Sequence, residues 1–63
     1  MKIHKTLSPL QRTRYFKGEA YDLISWKEDE QEALATATRI SRHDKVEVVL
    51  SNSGQYGVYR KRF

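Results

Sequence analysis

The chain has 63 residues, no cysteine, and twelve Lys and Arg against eight Asp and Glu, for a formal charge of +4. Such a length allows one compact domain at most, burying only about 60% of the surface its unfolded chain exposes, and the missing cysteines exclude disulfides and thiolate metal sites as supplements to a thin core. No stretch approaches the roughly 20 apolar residues of a membrane span, and Met1-Lys2-Ile3-His4-Lys5-Thr6-Leu7-Ser8-Pro9 carries positive charge with no apolar run behind it, unlike a secretory signal. A soluble, cytoplasmic protein is expected.

Charge is arranged in blocks. Residues 1–18 hold five cations (Lys2, Lys5, Arg12, Arg14, Lys17) and no acid; residues 19–32 hold six acids (Glu19, Asp22, Glu28, Asp29, Glu30, Glu32) against Lys27; the chain then turns basic again and ends Arg60-Lys61-Arg62-Phe63. A basic, acidic, basic order of this kind orients a partner or steers a polyanion to one surface.

The single proline, Pro9, follows Ser8, a pair that either caps a short helical turn or breaks a strand. Arg12 to Ser25 is rich in aromatic and β-compatible residues, with Lys17-Gly18 as a turn between Arg12–Phe16 and Ala20–Ile24, so one or two strands are predicted there. A helix from Pro9 to Leu23 is the alternative, disfavoured because Gly18 in its interior costs about 1 kcal/mol and the apolar spacing is irregular. Ser25-Trp26-Lys27-Glu28 fits a capping box, which starts a helix at Trp26. Trp26, Ala33, Leu34, Ala37 and Ile40 fall on one face of that helix; acids crowd its first turns, and Arg39, Arg42 and His43 its last. Lys45–Ser51 then alternates with period 2, and Gln55–Arg62 follows as a second strand. Asn52-Ser53-Gly54 suits a three-residue hairpin loop, which pairs Leu50 with Tyr56, Val48 with Val58 and Glu47 with Tyr59. Val46, Val48, Leu50, Tyr56 and Val58 then face the helix. Glu47, Val49, Tyr59 and Lys61 take the other side, with Gly57 as a low spot. The expected fold is one α+β domain over 1–63: a small antiparallel sheet of three or four strands packed on one amphipathic helix (βαββ or ββαββ), with the helix at about 26–43 and the C-terminal hairpin at about 45–62.

Ser41, His43 and Asp44 hold the residue types of a nucleophilic triad, but near-consecutive positions at a helix end point their side chains apart. Glu28, Asp29, Glu30 and Glu32 read as a dipole-matched helix start rather than a metal or acid/base site, and two histidines without a thiol do not make a zinc site. Gly18, Gly54 and Gly57 match no phosphate-binding loop. The chain is therefore expected to be no enzyme and to hold no catalytic residue, metal or cofactor.

What is left is cationic and aromatic residues in alternation. Arg12, Arg14 and Lys17 near one end, with Tyr59, Arg60, Lys61 and Arg62 at the other, are the candidate partner-binding residues. The leading expectation is a small regulator or inhibitor that binds a protein, or a second copy of itself, through the exposed edge of the hairpin. The alternative is RNA or DNA binding on a sheet face, with Tyr59 as a stacking platform and the cationic termini on phosphates. In size and charge the chain resembles the accessory proteins of phages and mobile elements in general style, with no family motif behind the likeness.

Overall fold

The computed structural model describes residues 2–62. Five strands and one helix follow in the order β1 (Ile3–Lys5), β2 (Thr13–Phe16), β3 (Glu19–Lys27), α1 (Glu30–Ile40), β4 (Val46–Leu50) and β5 (Tyr56–Lys61). All five strands belong to one sheet of order β1-β4-β5-β3-β2, antiparallel except for the parallel β1–β4 pair. The fold is thus α+β with a sheet on a helix, but with five strands in a mixed sheet rather than three or four antiparallel ones. The unforeseen strand is β1. Three residues are too few to show a period of two, and the parallel partner lies more than forty positions away, Ile3 opposite Val48.

The β2–β3 turn is the two-residue Lys17-Gly18, with φ of +52° and +81°. Both values lie in the left-handed region that a type I′ hairpin turn requires, which glycine enters without strain and lysine does not. β3 runs on past Ile24 to Lys27, through a register shift between Leu23 and Ser25. Ser25, Trp26 and Lys27 pair with Val58, Gly57 and Tyr56, so the predicted capping box at Ser25 is strand. The helix begins four residues later than expected, with the Asp29 carboxylate accepting from the Gln31 N–H at 2.9 Å, and Ser41 caps it at Ala37 O, short of His43. The β4–β5 hairpin has the register that a three-residue loop sets, Leu50 opposite Tyr56 and Val48 opposite Val58, with Gly54 at φ +85°.

α1 lies over β3, β4 and β5. Ala33 and Ala37, four apart and both fully buried, bring the helix close to Val48 and Val58, and Ile3, Leu34, Ile40, Val46 and Tyr56 complete that core. Trp26 has no part in it.

The other side of the sheet is a second core of Tyr21, Val49 and Tyr59, with Leu10, Phe16 and Leu23 packed against it. Residues 6–12 cover it. β1 and β2 are the two edge strands, so their connection must cross from one edge to the other, and it does so over this side as a strap. Thr6 N–H donates to Leu50 O, Ser8 O accepts from Asn52 N–H, and Arg12 O accepts from Leu23 N–H. In its middle Leu10 sits on Gly57, where an added Cβ would lie 2.9 Å from Leu10 Cδ2. The sheet curls toward the strap until the two edges meet, with the His4 ring of β1 5.0 Å from the Phe16 ring of β2. No helix among the described residues is long and apolar enough to cross a membrane.

Candidate interaction surface on the strap side

Opposed residues of an antiparallel pair share a face. Trp26 pairs with Gly57 and Arg14 with Tyr21, which puts both on the strap side. The strap is narrow and shields only the middle, over Leu10, Leu23 and Tyr59. Trp26 is left 52% exposed on a strand whose backbone is fixed, and Leu7, on the strap itself, is 96% exposed. Both lie at the hairpin end of the sheet. Tyr15, also exposed, sits on edge strand β2 next to Arg14.

Two depressions open on the strap side of the sheet. One, of about 420 Å3, lies between strap and β2 and is lined by Thr6, Ser8, Gln11, Thr13, Arg14 and Tyr15. Arg14 Nε is shut off from water there without a hydrogen-bond acceptor, and its guanidinium carbon lies 6.0 Å from the Phe16 ring centre. The other, of about 460 Å3, opens where the curled edges meet, among His4, Phe16, Lys17, Tyr21, Lys45 and Glu47. His4 Nε2 is 2.7 Å from Glu47 Oε1. Burial, helped by the negative charges of Glu47 and Glu19, pushes the Tyr21 hydroxyl above the usual tyrosine value.

The residues singled out in the sequence do not form one patch. Tyr59 is fully buried; its hydroxyl donates to Gln11 O at 2.6 Å, and burial raises its pKa. It offers no platform to a base, which corrects the stacking role expected of it. Lys61 pairs with Glu19 at 2.9 Å, and Arg62 pairs with Asp22 at 2.6 Å and also donates to Thr13 Oγ1. The lysine lowers the pKa of Glu19 and the arginine that of Asp22, each chiefly through the side-chain hydrogen bond. Two residues of the acidic block thus fold onto the basic C-terminus and neutralise two of its three cations, Lys61 and Arg62. Arg12, Lys17 and Arg60 are exposed; Arg12 adjoins the Asp22–Arg62 pair, Lys17 is at the β2–β3 turn, and Arg60 faces the helix side, opposite Val46 and Asp22. Arg14 alone of the seven is half-buried without an acid.

The hairpin edge is also not free. β4 is flanked by β1 and β5, and β5 by β4 and β3, so the exposed edges belong to β1 and β2. Ser41 donates its hydroxyl to Thr38 O at 2.7 Å, inside its own helix end, and no side-chain bond links it to His43 or Asp44 among the described residues. No group of three or more His, Asp or Glu side chains placed to hold a metal is found among the described residues.

Trp26 and Leu7 were the residues missed. A tryptophan at the end of a strand and one on a helix face look alike in sequence when an acidic, cap-like run follows.

Neither protein-family models, nor curated proteins, nor solved structures provide a match to this chain.

Proposed function

We propose that this is a small non-catalytic interaction module of the cytoplasm, a regulator or inhibitor that binds a protein partner with the strap side of its sheet. Trp26 carries the reading. A large aromatic left half in water on a strand whose backbone is fixed offers apolar area to a partner with no backbone to order first. Tryptophan, tyrosine and arginine are the residue types that dominate binding energy at protein interfaces, and Trp26, Tyr15, Arg12 and Arg14 surround or flank the strap. Leu7 extends the apolar part of the surface.

The test is affinity capture from nuclease-treated extract of the source cells with the wild-type chain and with Trp26→Ala. A protein retained in fixed stoichiometry by the first and lost from the second is expected. Because Trp26 is the sole tryptophan, its emission shifts to the blue as the partner covers it. Recovery of nucleic acid alone, with no retained protein, overturns the reading.

A second reading, nucleic-acid binding, draws on one observation: the 460 Å3 cleft sets Lys17 and Lys45 beside the exposed Tyr15, although Glu19 and Glu47 on the same lining balance their charge. It predicts binding of single-stranded oligonucleotides that weakens steeply with salt as counterions are released. A protein interface centred on Trp26 predicts only mild salt dependence.

A further inference from the structure

We infer that the groove between the strap and β2 is a carboxylate-binding site, in which Arg14 receives an Asp or Glu side chain of the protein partner; the identity of that partner as a protein rests on the reading above. Buried donors in folded proteins almost always have an acceptor, and an exception calls for an explanation. Arg14 is such an exception. Its Nε is closed off from water with no acceptor, and its two terminal nitrogens, which no side-chain hydrogen bond or ion pair engages among the described residues, stay open on the groove lining as the prongs an anion can reach. Glu19 Oε2 is the other buried polar atom without a well-aligned hydrogen bond among the described residues, but it has the Lys61 ammonium 2.9 Å away and Arg62 holds Asp22, whereas Arg14 has no opposite charge beside it.

Partial desolvation makes this guanidinium a stronger anion partner than a fully hydrated surface arginine, because the attraction is less screened. Packing near Phe16 and register opposite Tyr21 hold it in place, so little entropy is lost when an anion arrives. Charge count in the groove selects the class of anion. Apart from Arg14 its lining is neutral: Thr6, Ser8, Gln11, Thr13 and Tyr15. The Thr13 hydroxyl is already committed, donating to Asp22 and accepting from Arg62, and the Thr6 and Ser8 hydroxyls bond each other at 2.9 Å, leaving one hydroxyl proton between them to donate outward. One cation with a two-pronged fork and one or two neutral donors match the single charge and two oxygens of a carboxylate. A phosphate would leave oxygens and charge unmet.

The experiment uses the whole chain, labelled with 15N, and follows the Arg14 Nε–H and the amides of Ser8, Gln11 and Thr13 during titration with sodium acetate at constant ionic strength, with chloride and inorganic phosphate in parallel. Saturable shifts with acetate, absent with chloride and absent in Arg14→Met, are expected. Shifts that stay linear and match chloride, or saturation by phosphate at tenfold lower concentration than acetate, overturn the carboxylate assignment. With the captured protein, Arg14→Met should weaken binding roughly ten- to hundredfold, the usual weight of a charge-assisted bond, while its melting temperature is equal to or above that of the wild type, since an unsatisfied buried donor has been removed. A captured protein whose affinity ignores Arg14→Met but is lost with Trp26→Ala sinks this site and leaves the interaction reading intact. Acetate saturation with no protein captured sinks the protein partner and leaves a carboxylate site.

Discussion

The two sides of the sheet are closed by different means. On one, an eleven-residue helix lays Ala33 and Ala37 against Val48 and Val58, and small residues meeting β-branched ones give close, purely apolar packing. On the other, seven residues of irregular chain do the work of a layer, with Leu10 seated on Gly57 and a tyrosine hydroxyl tied to Gln11. The helix satisfies its own backbone internally. The strap cannot, and it borrows donors and acceptors from the sheet and its loops at Leu50, Asn52 and Leu23. A narrow cover also leaves apolar and charged groups open beside it, which is why the side with the thinner lid is the side that offers Trp26, Leu7 and Arg14 to a partner.

Substitutions on the two sides test this contrast, and the largest effect belongs to Tyr59. Tyr59→Ala empties the centre of the strap-side core and should cost about 3–5 kcal/mol, the range of large aromatic truncations. Against a total stability of about 5–15 kcal/mol for ordinary domains, urea titration followed by circular dichroism should find the variant largely unfolded or with a strongly lowered midpoint. A mild effect would mean that the strap covers no real core.

Gly57→Ala comes next. Its methyl would meet Leu10 Cδ2 at 2.9 Å, and Leu23 Cδ1 and Tyr59 Cε1 at 3.0 Å, so overpacking of about 1–3 kcal/mol is expected. Chemical shifts should change along residues 6–12 and hardly at all in the helix. Shifts concentrated in α1 would place Gly57 on the wrong side.

At the helix, Asp29→Ala should cost about 1 kcal/mol through the lost cap, whereas Ser25→Ala, within β3, should leave helix content unchanged. Equal losses would restore the Ser25 start. The smallest effect is electrostatic. Glu19 and Asp22 have pKa values below their ordinary ones, so the Lys61 and Arg62 pairs contribute in full above the ordinary carboxylate range and lose that contribution as pH falls through the lowered folded values. The pairs are exposed, so the loss is modest and screened by salt. Asp22→Asn should flatten the acid limb of a stability–pH curve, and an unchanged limb would show the Arg62 pair to be inert.

The helix side was legible because both of its partners carry a period: Ala33, Leu34, Ala37 and Ile40 on one helical stripe, Val46, Val48 and Val58 on alternate strand positions. The start of the helix was misread because Asp29-Glu30-Gln31-Glu32 offers the same cap pattern as Ser25-Trp26-Lys27-Glu28, and only the pairing of Ser25–Lys27 with β5 decides between them. Nothing periodic announces the strap. Leu10 has no local partner; its place is fixed by Gly57, and that of Gln11 by Tyr59, both nearly fifty residues away. The basic and acidic blocks were visible as blocks, but their mutual neutralisation at Glu19–Lys61 and Asp22–Arg62 follows from β3 and β5 being neighbours, which sequence spacing does not reveal. The same adjacency takes away the free hairpin edge. Of the candidate site, Arg14 stands out in the sequence among the cationic residues, while its isolation from any acid is a consequence of the strand order, which gives Asp22 to Arg62 and Glu19 to Lys61.

The division of labour between the two sides is tested most directly by amide hydrogen exchange of the chain alone and in complex with the protein it captures. Slowed exchange confined to the strap, to β2 around Arg14 and to the end of β3 around Trp26, with α1 unchanged, is the predicted result. Protection of the exposed face of α1, with residues 6–16 and Trp26 exchanging as in the free chain, would contradict it.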